Sequence, residues 1–87
     1  MQVTDVRVSL NNEQGKSLKA GVSITFDECF VIHGIKVIEG KDGKIFVSMP
    51  QTKTNDGFKD ICHPIKTEFR TYIAGEVMKA YNAKINN

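Results

Sequence analysis

Apolar residues recur at every second position through the first half of the chain, and then at helical spacing near its end. In Thr4–Leu10, Val6, Val8 and Leu10 share one face, while Asp5, Arg7 and Ser9 share the other. Asn11 to Gly15 is a cluster of turn formers. Leu18, Ala20, Val22, Ile24 and Phe26 then alternate with Lys19, Gly21, Ser23, Thr25 and Asp27, the cleanest amphipathic strand in the sequence. Asp27-Glu28 makes a short turn. Cys29–Glu39 carries Val31, His33, Ile35 and Val37 on one face and Phe30, Ile32, Gly34, Lys36 and Ile38 on the other. Both faces are largely apolar, which predicts a central strand covered on two sides or one that joins a subunit contact. Gly40-Lys41-Asp42-Gly43 is a tight turn whose glycines accept positive φ. Lys44–Met49 is a fourth strand, and the short connections predict an antiparallel meander.

Pro50 has no N–H for a ladder and ends that strand. Gln51–Gly57 reads as a polar loop with a turn at Asn55-Asp56-Gly57, and Phe58–Cys62 as a short fifth strand broken by His63-Pro64. Thr67 is the expected helix N-cap, with Glu68 favourably placed in the first turn. Phe69, Tyr72, Ile73, Val77, Ala80 and Tyr81 then follow i, i+3, i+4 spacing and form one apolar stripe. Gly75 costs this helix about 1 kcal/mol against alanine, and fraying is expected from Asn82 onward. The expected fold class is α+β: one domain over residues 1–87, a four- to five-stranded antiparallel sheet carrying one C-terminal helix.

Eighty-seven residues support a single modest core, because a chain this short buries only about 60–65% of its unfolded surface. It therefore gains much from dimerisation, and the doubly apolar third strand or a free sheet edge is where pairing is expected. Twelve Lys and Arg against ten Asp and Glu give a net charge of +2, too balanced for a polycation that coats nucleic acid indiscriminately. No apolar run approaches the ~20 residues that span a bilayer. The Met-Gln-Val-Thr-Asp opening has neither a basic nor an apolar leader region. The expected address is the cytoplasm, with no membrane partner and with Cys29 and Cys62 reduced.

Little in the sequence points to catalysis or to a cofactor. Cys62 and His63 are adjacent, so in extended chain they point apart and make a poor nucleophile–base pair. Cys29 and His33 lie on one strand face but about 13 Å apart, too far to share a zinc ion. No phosphate-binding glycine loop or metalloprotease helix motif occurs. No cofactor, metal or small-molecule substrate is expected. The remaining signal is cationic. From Gln51 onward six Lys and Arg face four acids, whereas the first half is neutral. Lysines in a loop, followed by a helix start with free N–H groups, suit phosphate contact. The competing reading is an ordinary solvated surface.

The chain resembles the SpoVG (stage V sporulation protein G, septation regulator) family. Three stretches carry the likeness: Met1 to Arg7, Phe30-Val31-Ile32-His33-Gly34-Ile35-Lys36-Val37-Ile38-Glu39-Gly40, and Val47-Ser48-Met49-Pro50 followed by Asp56-Gly57-Phe58-Lys59-Asp60-Ile61-Cys62-His63-Pro64-Ile65. The match runs over about residues 1–82 with order and spacing kept. It implies a small bacterial cytoplasmic protein that dimerises through its sheet, binds DNA and RNA, and regulates sporulation, cell division or other gene expression. The family's loop after Met-Pro is usually Ser-Lys-Arg-Thr-Pro-Asp-Gly. Here Lys53 keeps one basic position, Thr52 replaces the other, and Asn55 replaces the proline. Lys59 stands where arginine is frequent and lacks its bidentate fork. The expected function is therefore a non-enzymatic, homodimeric nucleic-acid-binding regulator. Lys53, Lys59, Lys66 and Arg70 are the expected phosphate contacts, Lys79 is a further candidate, and Gln51, Asn55 and Arg70 are candidates for base readout. The alternative is a protein–protein interaction module without nucleic-acid affinity.

Overall fold

The computed structural model describes residues 1–11 and 17–86. Most of the expected turn at Asn11–Gly15 lies outside them. Four strands, β1 (Val3–Leu10), β2 (Leu18–Phe26), β3 (Phe30–Glu39) and β4 (Ile45–Ser48), form an antiparallel meander in that spatial order. Two more, β5 (Gln51–Thr54) and β6 (Gly57–Asp60), pair only with each other, and helix α1 (Thr67–Ile85) follows. The fold is α+β, as the patterning predicts.

Alternation in β2 decides the core. Ala20, Val22, Ile24 and Phe26 are all buried and meet Ile35 and Val37 of β3 beneath Ile73, Val77 and Tyr81 of α1. Phe69 stacks between Phe26 and Tyr72, with ring centroids 5.8 Å apart in each pair. The Val3 backbone N–H donates to the Tyr72 hydroxyl at 2.9 Å, tying the helix to the first strand. The β2–β3 turn takes left-handed backbone at Asp27 and Glu28 (φ 51° and 58°). Residues without a glycine's freedom hold it because the Gln2 N–H donates to the Asp27 carboxylate and the Glu28 N–H to the Thr4 hydroxyl, both at 2.9 Å.

Three expectations are corrected. First, β3 does not keep one parity. Val22 pairs with Ile35 but Ile24 pairs with Ile32, so His33 and Gly34 together face Ser23. Gly34 sits at φ +89°, where an added Cβ would lie 3.5 Å from the Pro50 ring. This bulge switches faces mid-strand. It puts Ile32 on the helix side with Ile35 and Val37, and sends Val31 and His33 to the open side with Lys36 and Ile38. The strand is thus apolar on both faces in sequence partly because its two halves bury opposite parities. Second, Gln51–Thr54 is a strand rather than loop. It pairs Lys53 with Phe58 and Thr52 with Lys59, and the fifth strand expected at Phe58–Cys62 is Gly57–Asp60. A polar strand with no core face has no hydrophobic alternation to reveal it. Third, Thr67 is the first helical residue. Lys66 occupies the N-cap with extended backbone (φ −112°, ψ 135°) and supplies no side-chain cap. The helix also runs through Asn82 to Ile85.

Candidate nucleic-acid interface

The β5–β6 ribbon and the start of α1 hold the residues that the sequence singles out. The ribbon leaves the body after buried Met49 and Pro50, turns at Asn55-Asp56 through Gly57 (φ +115°), and returns where the Ile61 N–H donates to the Pro50 carbonyl at 2.7 Å. Its two strands contact chiefly each other. Because opposed residues share a face, Lys53 and Phe58 lie on one side of the ribbon with Gln51 and Asp60, whose side chains pair at 3.0 Å. Lys59 lies on the other side with Thr52. Lys53 and Lys59 therefore do not converge on one point; they bracket a thin, two-faced ribbon.

Lys66 and Arg70 do come together. The Arg70 N–H donates to the Lys66 carbonyl at 3.1 Å, which closes the first helical turn, and both side chains are exposed. With no side chain capping this end, its first N–H groups stay available to an anion. Between ribbon and helix, His63 Nδ1 meets the Pro64 carbonyl at 3.1 Å, fixing the bend that links them. Lys79 lies nine residues beyond Arg70, half a turn around the helix and about 13 Å along it, and so does not join the group. Asp56, Asp60 and Glu68 lie among the cations, so the patch is interleaved rather than uniformly basic.

Periodicity gave no warning of a second arrangement, on the face of the sheet turned away from the helix. There Arg7, Ser9, Ser23 and Lys36 rim a groove of about 340 Å³ over Gly21. The β3 bulge builds part of this groove by bringing Gly34 to its edge. Finding it requires strand register, which the sequence pattern alone leaves open.

A four-stranded meander under one covering helix, with a projecting two-stranded ribbon, defines a small α+β scaffold that carries an exposed appendage. No helix among the described residues is long and apolar enough to cross a bilayer. The SpoVG family model matches residues 1–83, and the chain belongs to that family. It is 51% identical over 87 residues to a protein of Caldicellulosiruptor saccharolyticus, covering 99% of this chain and 97% of the relative. It is 52% identical over 82 residues to one of a Thermoanaerobacter species, covering 93% and 87%. With a protein of Agathobacter rectalis it shares 47% identity over 88 residues, covering 100% and 99%. All three relatives carry the name "Putative septation protein SpoVG".

Proposed function

We propose that this chain is a cytoplasmic, non-enzymatic regulator that binds DNA or RNA as a homodimer and acts on septation, sporulation or other gene expression. The observation that carries the reading is the ribbon. It stands clear of the body, presents Lys53 and Lys59 on its two faces, and runs directly into Lys66, Arg70 and an uncapped helix start. Such a ribbon is thin enough to enter the major groove of B-form DNA, and the helix end supplies N–H groups and a favourable dipole for a phosphate of either nucleic acid. Lys79 reaches only nucleic acid that wraps beyond the first helical turn.

The dimer rests on a different feature. Phe58, Ile61 and Ile65 are 70%, 66% and 90% exposed, and a two-stranded hairpin is at best marginally stable alone. A second copy covering these side chains would secure the ribbon. The same apolar residues favour the competing reading, a protein–protein module without nucleic-acid affinity.

Fluorescence anisotropy of labelled mixed-sequence DNA and RNA, repeated across salt concentrations, separates the two. Phosphate contact gives a linear fall of log K with log salt, about 0.9 per contact on duplex DNA and about 0.7 on a single strand. A module of the second kind gives no binding even at low salt. Sedimentation of the free chain tests the dimer, which is expected to weaken when Phe58 and Ile61 are changed to serine.

A further inference from the structure

We propose that the open face of the four-stranded sheet is where one strand of nucleic acid lies, with its phosphates at Arg7 and Lys36 and a base on Phe46. The inference deepens the nucleic-acid reading and rests on it. Register fixes the layout. Arg7 faces Ser23 across β1 and β2, Ser9 faces Gly21, and Gly21 faces Lys36 across β2 and β3. Two cations on the strands either side of β2 thus flank a stretch of it that carries only a glycine and a hydroxyl. At Gly21 an added Cβ would meet nothing within 4 Å, so the missing side chain is what makes the face concave there. Asp5 is an acid on this face. It engages Arg7 at Nε (3.0 Å) and leaves the terminal amino groups of the guanidinium to a ligand. His33, exposed beyond the bulge, is held by Ser23 with Nδ1 and Oγ 2.8 Å apart.

Spacing and chemistry together select the occupant. Arg7 and Lys36 are two strand spacings apart and offset by two residues along the strands, about 12 Å in all, which suits two phosphates of one chain better than a lone anion. Beyond Lys36 on the same face, Phe46 pairs with Ile38 and is 51% exposed. An exposed ring beside a cation is of no use to a free anion but gives an unpaired base a stacking surface. A single strand can present its bases to such a face, whereas a duplex keeps them stacked inside.

The test uses the full chain and an unstructured oligouridylate, followed by amide chemical shifts, anisotropy and sedimentation. The Gly21, Ser23 and Lys36 amides are expected to shift on titration. Gly21→Val fills the groove with a side chain that strands favour and whose Cβ has open space around it. Both this variant and Arg7→Gln/Lys36→Gln are expected to weaken binding at least about tenfold. Phe46→Leu is expected to weaken it at least about fivefold. Shifts confined to the ribbon and helix start, with Gly21→Val binding like the parent, would overturn this inference and leave the proposed function standing. If no oligonucleotide binds the parent, both fall. If Gly21→Val instead converts a dimer to monomers, the face is a self-contact and the inference is overturned.

Discussion

The sheet–helix body and the β5–β6 ribbon are made by the same chain under opposite rules. In the body, each strand of the β2–β3 pair has one face against α1, and among the described residues nine of the ten members of the buried hydrophobic core come from β2, β3 and the helix, with Met49 the tenth. Burial there specifies register, because a slip of one residue would turn Val22 and Ile24 to solvent. In the ribbon every residue except Thr54 is exposed. Its register comes from the turn and from local hydrogen bonds, such as the Thr54 hydroxyl donating to the Gly57 carbonyl at 2.7 Å. The body is stabilised by what it hides. The ribbon is free to be shaped by what it meets, which suits a recognition element carried on a rigid support.

Substitutions can break this contrast. The largest effect is expected in the body. Ile24→Ala removes a fully buried side chain and should cost about 2–5 kcal/mol, read as a fall in the denaturation midpoint. Phe58→Ala in the ribbon should cost a dilute monomer under about 0.5 kcal/mol. A cost as large as that of Ile24→Ala at low concentration would mean that the ribbon belongs to the core. Next comes Gly34→Ala, which forces a side chain into φ +89° beside Pro50 and should cost about 1–3 kcal/mol by the same measurement. Tyr72→Phe removes the acceptor of the Val3 N–H and should cost about 0.5–1.5 kcal/mol, with faster amide exchange at Val3. One effect of modest size carries the opposite sign. Lys66→Asp supplies the missing N-cap and should stabilise the helix by about 0.5–1 kcal/mol while weakening nucleic-acid binding. A variant that is more stable yet binds less well would separate the site from the scaffold.

What the sequence reveals follows the same division. Val22, Ile24 and Phe26, and the stripe through Ile73, Val77 and Tyr81, are legible because burial imposes a period. The Asp27-Glu28 and Gly40–Gly43 turns are legible from their residue types. β5 is not, because a strand with no buried face leaves no alternation, and Gln51-Thr52-Lys53-Thr54 looks like any polar loop. The β3 bulge is hidden for another reason: Ile32 and Ile35 both seek the core, and only the pairing with β2 shows that Gly34 absorbs the extra residue. Among the candidate phosphate-binding residues, Lys66 and Arg70 fall together because adjacent helical geometry is local. Lys53 and Lys59 are parted by a hairpin register that composition does not encode.

The central claim is that the cations of the ribbon and the helix start hold nucleic-acid phosphates. The direct measurement compares the parent with Lys53→Ala/Lys59→Ala/Arg70→Ala by anisotropy on one duplex across a salt series, after circular dichroism has established that both are folded. The expected result is weaker binding with a salt slope reduced by about 2–3 units, roughly one for each phosphate no longer neutralised. Unchanged affinity and slope in the folded triple variant would contradict the claim.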